Sequence, residues 1–226
     1  MVGRAAERYM AATRRRRGEL FTSWLAPTRA DRILDLGGGD GGHIASILGH
    51  CDGVTVADID ERELSGAAER GFETVLIDET GALPFEDHAF DIVFCSSVIE
   101  HTTGPKRDVF ACRSGRKFKR RAWQQQTRLA DEIQRIGRRY FVQTPNRWFP
   151  IEAHTWLPGV GYLPRRALMG FLPLVARTPW PWKTLPDFNL LSARDLQNLF
   201  PDAVIVRERS AALTLGLTKS LIAIKQ

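Results

Sequence analysis

Apolar residues along this chain gather into short continuous runs, and the stretches between those runs carry apolar residues at helical spacing. Ile33, Leu34 and Leu36 are apolar without helical spacing and stop at glycine, which predicts a short buried strand. Val54, Val56 and Ala57, within Gly53 to Ile59, read as a second, and Glu73 to Ile77 as a third. Phe90, Ile92, Val93 and Phe94 make a fourth after a turn at Glu86, Asp87 and His88, and Arg139 to Gln143 a fifth. Ala203 to Arg209 and Leu217 to Ile224 alternate as two final strands. Between them, Ile44, Ile47 and Leu48 predict one helix, Glu61 to Arg70 a second, and Leu129, Ala130, Ile133 and Ile136 a third over Trp123 to Ile136, with Gly137 as its C-cap. Ser192 to Phe200 is a fourth, with Ser192 as N-cap and Asp195 three residues on, close to a capping box. Met1 to Arg29 reads as a helical lead-in whose apolar face is Leu20, Phe21, Trp24 and Leu25, ended by Pro27. Strands alternating with helices predict an α/β fold with a doubly wound, mostly parallel sheet.

Two stretches break the pattern. From Thr102 to Ala122 charge is dense, apolar residues are scattered and Gly104, Pro105 and Gly115 interrupt, which predicts a mobile basic loop. From 147 to 190 the chain is rich in proline and aromatics without a period: Trp148, Phe149, Trp156, Tyr162, Phe171, Trp180, Trp182 and Phe188. In a parallel-sheet scheme this segment leaves the C-terminal end of strand five, the edge where α/β proteins bind ligands. It is expected to form a substrate-facing cap, with a local mini-core, or a peripheral membrane or dimer contact, as the other readings.

At 226 residues one domain with elaborations fits better than two small ones. The expected organisation is a single domain over 1–226, with a lead-in (1–29), a basic insertion (102–122) and an aromatic cap (147–190). No apolar run nears the roughly 18 residues that span a bilayer, and the N-terminus with Arg4, Glu7 and Arg8 lacks a secretory core, so a cytoplasmic protein is expected. Cys51, Cys95 and Cys112 have no metal spacing, and no metal is expected. The net charge of +6 admits an anionic partner. It is concentrated in Arg14 to Arg17 and in Arg113, Arg116, Lys117, Lys119, Arg120 and Arg121. A solvated helix or loop face explains both runs better than a nucleic-acid surface, since neither presents interleaved base-stacking aromatics.

The chemistry centres on Arg32 to Gly42, RILDLGGGDGG. Gly37, Gly39 and Gly42 fit G-x-G-x-x-G, a turn in which the backbone bends tightly and approaches a ligand with no Cβ in the way. The glycines open a helix whose N-terminus can receive a polar ligand. That pattern alone fits a nicotinamide dinucleotide as well as other nucleotides. Asp35 changes the balance, because a carboxylate two residues before Gly37 suits a cationic ligand group and repels a pyrophosphate. Asp58 lies 21 residues beyond Gly37, near the separation at which an acid meets ribose hydroxyls, although Asp58 or Asp60 could instead cap the following helix.

The D-x-G-x-G form resembles motif I of the class I S-adenosylmethionine-dependent methyltransferases, and LPFEDHAFDIVFCSSVIEH, from Leu83 to His101, resembles the block that follows it in that family. Gln124 to His154 is similar to a bacterial subgroup with FVQTPNR.FPIE.H. The resemblance implies a Rossmann-like, doubly wound seven-stranded sheet, mostly parallel with an antiparallel C-terminal strand, and S-adenosylmethionine as cofactor. It implies that Asp35, Gly37 and Gly39 hold the methionine part, Asp58 the ribose, and Asp78 the adenine. Glu79 is a substitute for Asp78, because the spacer to Leu83 is about one residue longer than usual. Ser96 is expected near the sulfonium. Candidate general bases are His101 and His154, beside Glu100 and near Glu152. After strand four the chain reads CSS rather than the N/D-P-P-Y of several amide and exocyclic-amine methyltransferases, so a small-molecule or lipid- or saccharide-linked acceptor is expected. An NAD(P)-dependent oxidoreductase, a cofactor-binding protein without catalysis and an RNA methyltransferase using the basic runs remain alternatives. The sequence does not specify the oligomeric state.

Overall fold

The computed structural model describes residues 2–79, 82–210 and 216–226. In chain order its elements are α1 (Val2–Leu25), β1 (Ile33–Leu36), α2 (Gly42–Leu48), β2 (Val54–Asp58), α3 (Glu61–Glu69), β3 (Glu73–Leu76) and β4 (Phe90–Ser96). Then come α4 (Lys106–Ala111), α5 (Gly115–Ile136), β5 (Gly137–Pro145), α6 (Arg165–Ala176), α7 (Ala193–Leu199), β6 (Val204–Arg209) and β7 (Thr218–Lys225). The strands form one seven-stranded sheet in the order β3-β2-β1-β4-β5-β7-β6. β1 pairs in parallel with β2 and β4, and β2 with β3, while antiparallel pairing belongs to the C-terminal strands. The seven predicted strands and the doubly wound class are therefore present.

By packing, the chain forms two compact units, one of Met1–Ser96, Glu132–Val142 and Ile224–Gln226, the other of Ser97–Asp131 and Gln143–Ala223. In the first, every residue of β1 is buried, as a strand covered on both faces requires. The lead-in helix packs on the sheet: Phe21 of α1 is fully buried, edge-on to Phe94 of β4 at 5.0 Å and Phe141 of β5 at 5.6 Å between ring centroids. Burial of such a ring contributes roughly 2–3 kcal/mol. Gly18 lets α1 approach α2, since a Cβ there would stand 2.9 Å from Ile47 Cγ1. Arg14 to Arg16 lie exposed on α1, the solvated face expected of that run.

The α5–β5 junction has no loop. Gly137 is the first strand residue rather than a left-handed C-cap, and a Cβ on it would meet Val93 Cγ2 at 2.7 Å. Glycine is needed there for lack of space, not for a positive φ.

In the second unit the expected mobile basic loop is instead regular. α4 and α5 cover most of 102–122, and α5 begins at Gly115, eight residues before the periodic signal at Trp123. The reason is a small apolar seam: Val109, Phe118 and Ala122 are buried against one another, while Arg113, Arg116, Lys117, Lys119 and Arg120 face solvent. Charge density masked that seam. Arg165 anchors it, its guanidinium 3.6 Å from the Phe118 ring centroid, donating 2.7 Å hydrogen bonds to the carbonyls of Cys112 and Pro186. The aromatic stretch also contains a helix. In α6, Leu168, Leu172 and Val175 form a buried stripe around an internal Pro173, inside a stretch whose prolines and aromatics showed no period. Ser192 and Asp195 complete the capping box of α7.

Candidate active site

Two groups of candidate residues are assembled, one in each unit. In the first, β1 delivers Asp35 to the glycine turn. Gly37, Gly39 and Gly41 all take positive φ, so the turn uses glycine's left-handed freedom at alternate positions. Gly38, between them, is needed for a different reason: a Cβ there would fall 2.3 Å from Asp35 Oδ2. The sequence pattern singled out Gly42 and passed over Gly38 and Gly41, because G-x-G-x-x-G marks spacing and not what each glycine must avoid.

Asp35 is 3% exposed and its Oδ2 has no hydrogen-bond partner in the described structure. Burial, and secondarily the charge of Asp58, push its pKa up to about 7. A buried acceptor with nothing to accept from is costly, and a cationic ligand group supplies the missing partner. Asp58, at the end of β2, accepts from Gly39 N at 2.9 Å and from Asp60 N at 3.0 Å. Asp60, accepting from Arg62 N at 2.9 Å, is the cap of α3. Asp58 therefore belongs to the glycine turn and retains lone pairs for ligand hydroxyls. Asp78 and Glu79 are exposed just past β3, where Ile77 N bonds to Asp58 O at 3.0 Å. The spacer to Leu83 passes through Thr80 and Gly81, which lie outside the described residues. Ser96 ends β4.

The second group is held by the turn Ile99–His101 and the loop 151–157. His101 Nε2 and His154 Nε2 face each other at 3.0 Å. His154 Nδ1 pairs with Glu152 Oε1 at 2.6 Å, and His101 Nδ1 with Asp187 Oδ1 at 3.4 Å. Glu152, 2% exposed, also accepts from His154 N, Thr155 N and Thr155 Oγ1 at 2.8–3.0 Å, so one carboxylate organises the whole loop. Burial raises the pKa of Glu152, but the bonds from His154 and Thr155 outweigh it and hold the carboxyl below its ordinary value. His101 is opposed in the same way. Burial disfavours its charge, and the bond to Asp187 with the charges of Glu100, Asp187 and Glu152 raises its pKa nonetheless.

Glu100 is fully buried. Its Oε2 accepts from Thr144 Oγ1 at 3.0 Å, and its Oε1 has no partner among the described residues. Gln126 clamps the turn by donating to Ile99 O at 2.9 Å and Asn189 O at 3.0 Å. Phe188 stacks on His154 at 4.8 Å. Asp187, Gln126 and Glu100 were not singled out in sequence. Only the proximity of Glu100 to His101 was visible there, since Asp187 lies far along the chain.

The glycine turn and the sheet order are shared with known proteins. Residues 34–120 match the family model described as a methyltransferase domain. That match spans less than half of the chain; the chain is an enzyme, and S-adenosylmethionine is its cofactor. Among similar folds is an S-adenosylmethionine-dependent methyltransferase from Methanosarcina mazei, 16% identical, covering 88% of this chain and 92% of that one at a TM-score of 0.51. Another is the magnesium protoporphyrin IX methyltransferase from Synechocystis PCC 6803 with bound SAH, 14% identical over 95% of this chain and 83% of that one, TM-score 0.52. A third is a small RNA methyltransferase, 17% identical over 93% of this chain but 24% of that one, TM-score 0.52. No curated protein matches the chain significantly.

The residues fit the cofactor: the orphaned Oδ2 of Asp35 suits the ammonium of its methionine part, and the glycine turn leaves room for its backbone approach. The nicotinamide alternative falls away with that cofactor. Among the described residues no helix is long and apolar enough to cross a membrane.

Proposed function

We propose that the chain is a cytoplasmic enzyme that methylates a small-molecule or lipid- or saccharide-linked acceptor. When bound, S-adenosylmethionine supplies a methyl group on a sulfonium, open to in-line displacement. In this reading Asp35, Gly37 and Gly39 bind the methionine part, Asp58 the ribose, Asp78 or Glu79 the adenine, and Ser96 lies by the sulfonium. His101 and His154 are the catalytic pair that activates the acceptor. The observation that carries this division of labour is the orphaned, buried Asp35 Oδ2 beside a glycine that cannot bear a Cβ. Support for a non-nucleic-acid acceptor comes from the aromatics of the second unit. Trp156 stacks on Trp182 at 5.3 Å and Trp180 Nε1 donates to Thr155 O at 2.7 Å, which ties the tryptophans to the histidine loop.

Titration calorimetry with S-adenosylhomocysteine and NAD tests the cofactor assignment: micromolar or tighter S-adenosylhomocysteine binding is expected, and tighter NAD binding would overturn it. Labelled-methionine profiling of a deletion strain then identifies the acceptor as one missing methylated species. A second reading, an RNA acceptor, draws on the row of exposed cations on the first turns of α5. Phe118, the aromatic inside that row, is buried rather than offered to a base. RNA binding that falls steeply with salt and is lost on neutralising Arg116 to Arg121 would favour it.

A further inference from the structure

The geometry points to a divalent transition-metal site built by Glu100, His101 and His154. A ligand-capable atom of each residue lies within 4.8 Å of those of the other two. The two Nε2 atoms stand 3.0 Å apart with their rings at 81°. Two metal–nitrogen bonds of about 2.1 Å spanning that distance subtend about 90°, an adjacent pair of positions in a five- or six-coordinate ion.

Three further observations separate this arrangement from a chance meeting of histidines. Each imidazole is held through its other nitrogen by a carboxylate, His154 by Glu152 and His101 by Asp187. That turns both Nε2 atoms toward one another, where an ion would take the place of the hydrogen bond between them, with the outer-shell pattern that fixes metal-binding histidines. Glu100 is fully buried with Oε1 unpartnered, an acceptor lacking the cation or donor that would satisfy it. And three carboxylates, Glu100, Glu152 and Asp187, surround two imidazoles. A shared proton offsets one of those charges; a divalent ion offsets two and leaves coordination positions open. Two imidazoles and one carboxylate suit zinc and its first-row neighbours, whereas magnesium and calcium prefer all-oxygen sites.

The ion's role rests on the methyltransferase reading: with three protein ligands it keeps positions for an acceptor hydroxyl or carboxylate, whose oxygen it polarises and whose proton it makes easier to lose. The acceptor class this favours is one that offers a chelating oxygen. Its binding, however, does not depend on methyl transfer and is measured separately.

The test uses the full chain, stripped with a chelator and titrated with Co(II) by visible absorption and calorimetry. The expected result is one saturable equivalent with ligand-field bands, displaced by Zn(II). His101→Ala and His154→Ala should each weaken binding at least hundredfold. Glu152→Gln, which weakens the hold on the His154 ring and on the Thr155 end of the loop while keeping the volume, should weaken it 10- to 100-fold. Glu100→Gln keeps the volume and the bond from Thr144 and should cost at least tenfold, so it decides the matter if a histidine variant misfolds. S-adenosylhomocysteine affinity, measured on the same samples, should be unchanged in every folded variant. No saturable equivalent in the wild type, or wild-type affinity in Glu100→Gln and Glu152→Gln, would overturn the site. Loss of S-adenosylhomocysteine binding in a wild type that still takes up Co(II) would instead sink the cofactor reading and leave the ion in place.

Discussion

Asp35 makes the stability of the fold depend on pH. Its folded-state pKa, up to about 7, lies above the ordinary carboxylate value of 3.8, so folding favours its protonated form. The contribution to ligand-free stability is fully present below about pH 4 and is lost as pH rises through about 7, at most about 4 kcal/mol. Ligand-free thermal melts should therefore decline across that window, and Asp35→Asn should flatten the decline. A bound ammonium reverses the preference, so S-adenosylhomocysteine affinity should rise with pH up to about 7 in the wild type, and calorimetry on Asp35→Asn should show weaker binding with that dependence gone. Gly38→Ala is the complementary change. Its Cβ would displace the Asp35 carboxylate, and a loss of 1–3 kcal/mol together with weakened S-adenosylhomocysteine binding is expected from melts and calorimetry. Asp35 was legible in the sequence as an acid at a strand end before glycines. Gly38 was not, because its necessity comes from where a neighbouring side chain sits.

Among the elements, the strands were legible because a parallel sheet covered on both faces leaves continuous apolar runs. What escaped were helices whose apolar stripe is narrow. Val109, Phe118 and Ala122 hold α4 and α5 amid a dense run of cations, and α6 accommodates Pro173. A composition rule weighs the many solvent-facing charges, whereas packing depends on the few residues that turn inward. The α5–β5 junction is the place to test how strictly such packing is enforced. Gly137→Ala must push aside Val93 and crowd the carbonyl of Ile133, 3.1 Å away, and should cost 1–3 kcal/mol. That corresponds to a fall of roughly 2–4 °C in melting temperature per kcal/mol for a chain of this length. At the end of α5, Arg135 donates to Leu83 O, Phe85 O and Asp87 and pairs with Glu132 at 2.7 Å, so Arg135→Met should loosen the 83–87 segment, seen as faster amide exchange there.

For the whole molecule, ligand linkage gives a direct reading of the cofactor. S-adenosylhomocysteine at a hundred times its dissociation constant should add about 2.7 kcal/mol to stability, visible as a raised melting temperature, and NAD at equal concentration should add none. The methyltransferase domain and its cofactor were accessible from Arg32 to His101. The carboxylate-held histidine pair was accessible only as two separate residues, because His101 and His154 lie 53 positions apart and Asp187 and Phe188 reach them from a third segment.

The division of the chain into units that are not contiguous segments bears on the order of synthesis. The first unit takes its residues from 1–96, from 132–142 and from 224–226, where Ile224 is 1% exposed and Lys225 lies 5.9 Å from the Tyr140 ring. A nascent chain that has emitted its glycine turn and first four strands still lacks the pieces that close that unit. β4 gains its second neighbour as soon as β5 is made, but until β7 leaves the ribosome the far edge of β5 has no strand beside it, so an unpaired strand edge stays exposed until late in synthesis.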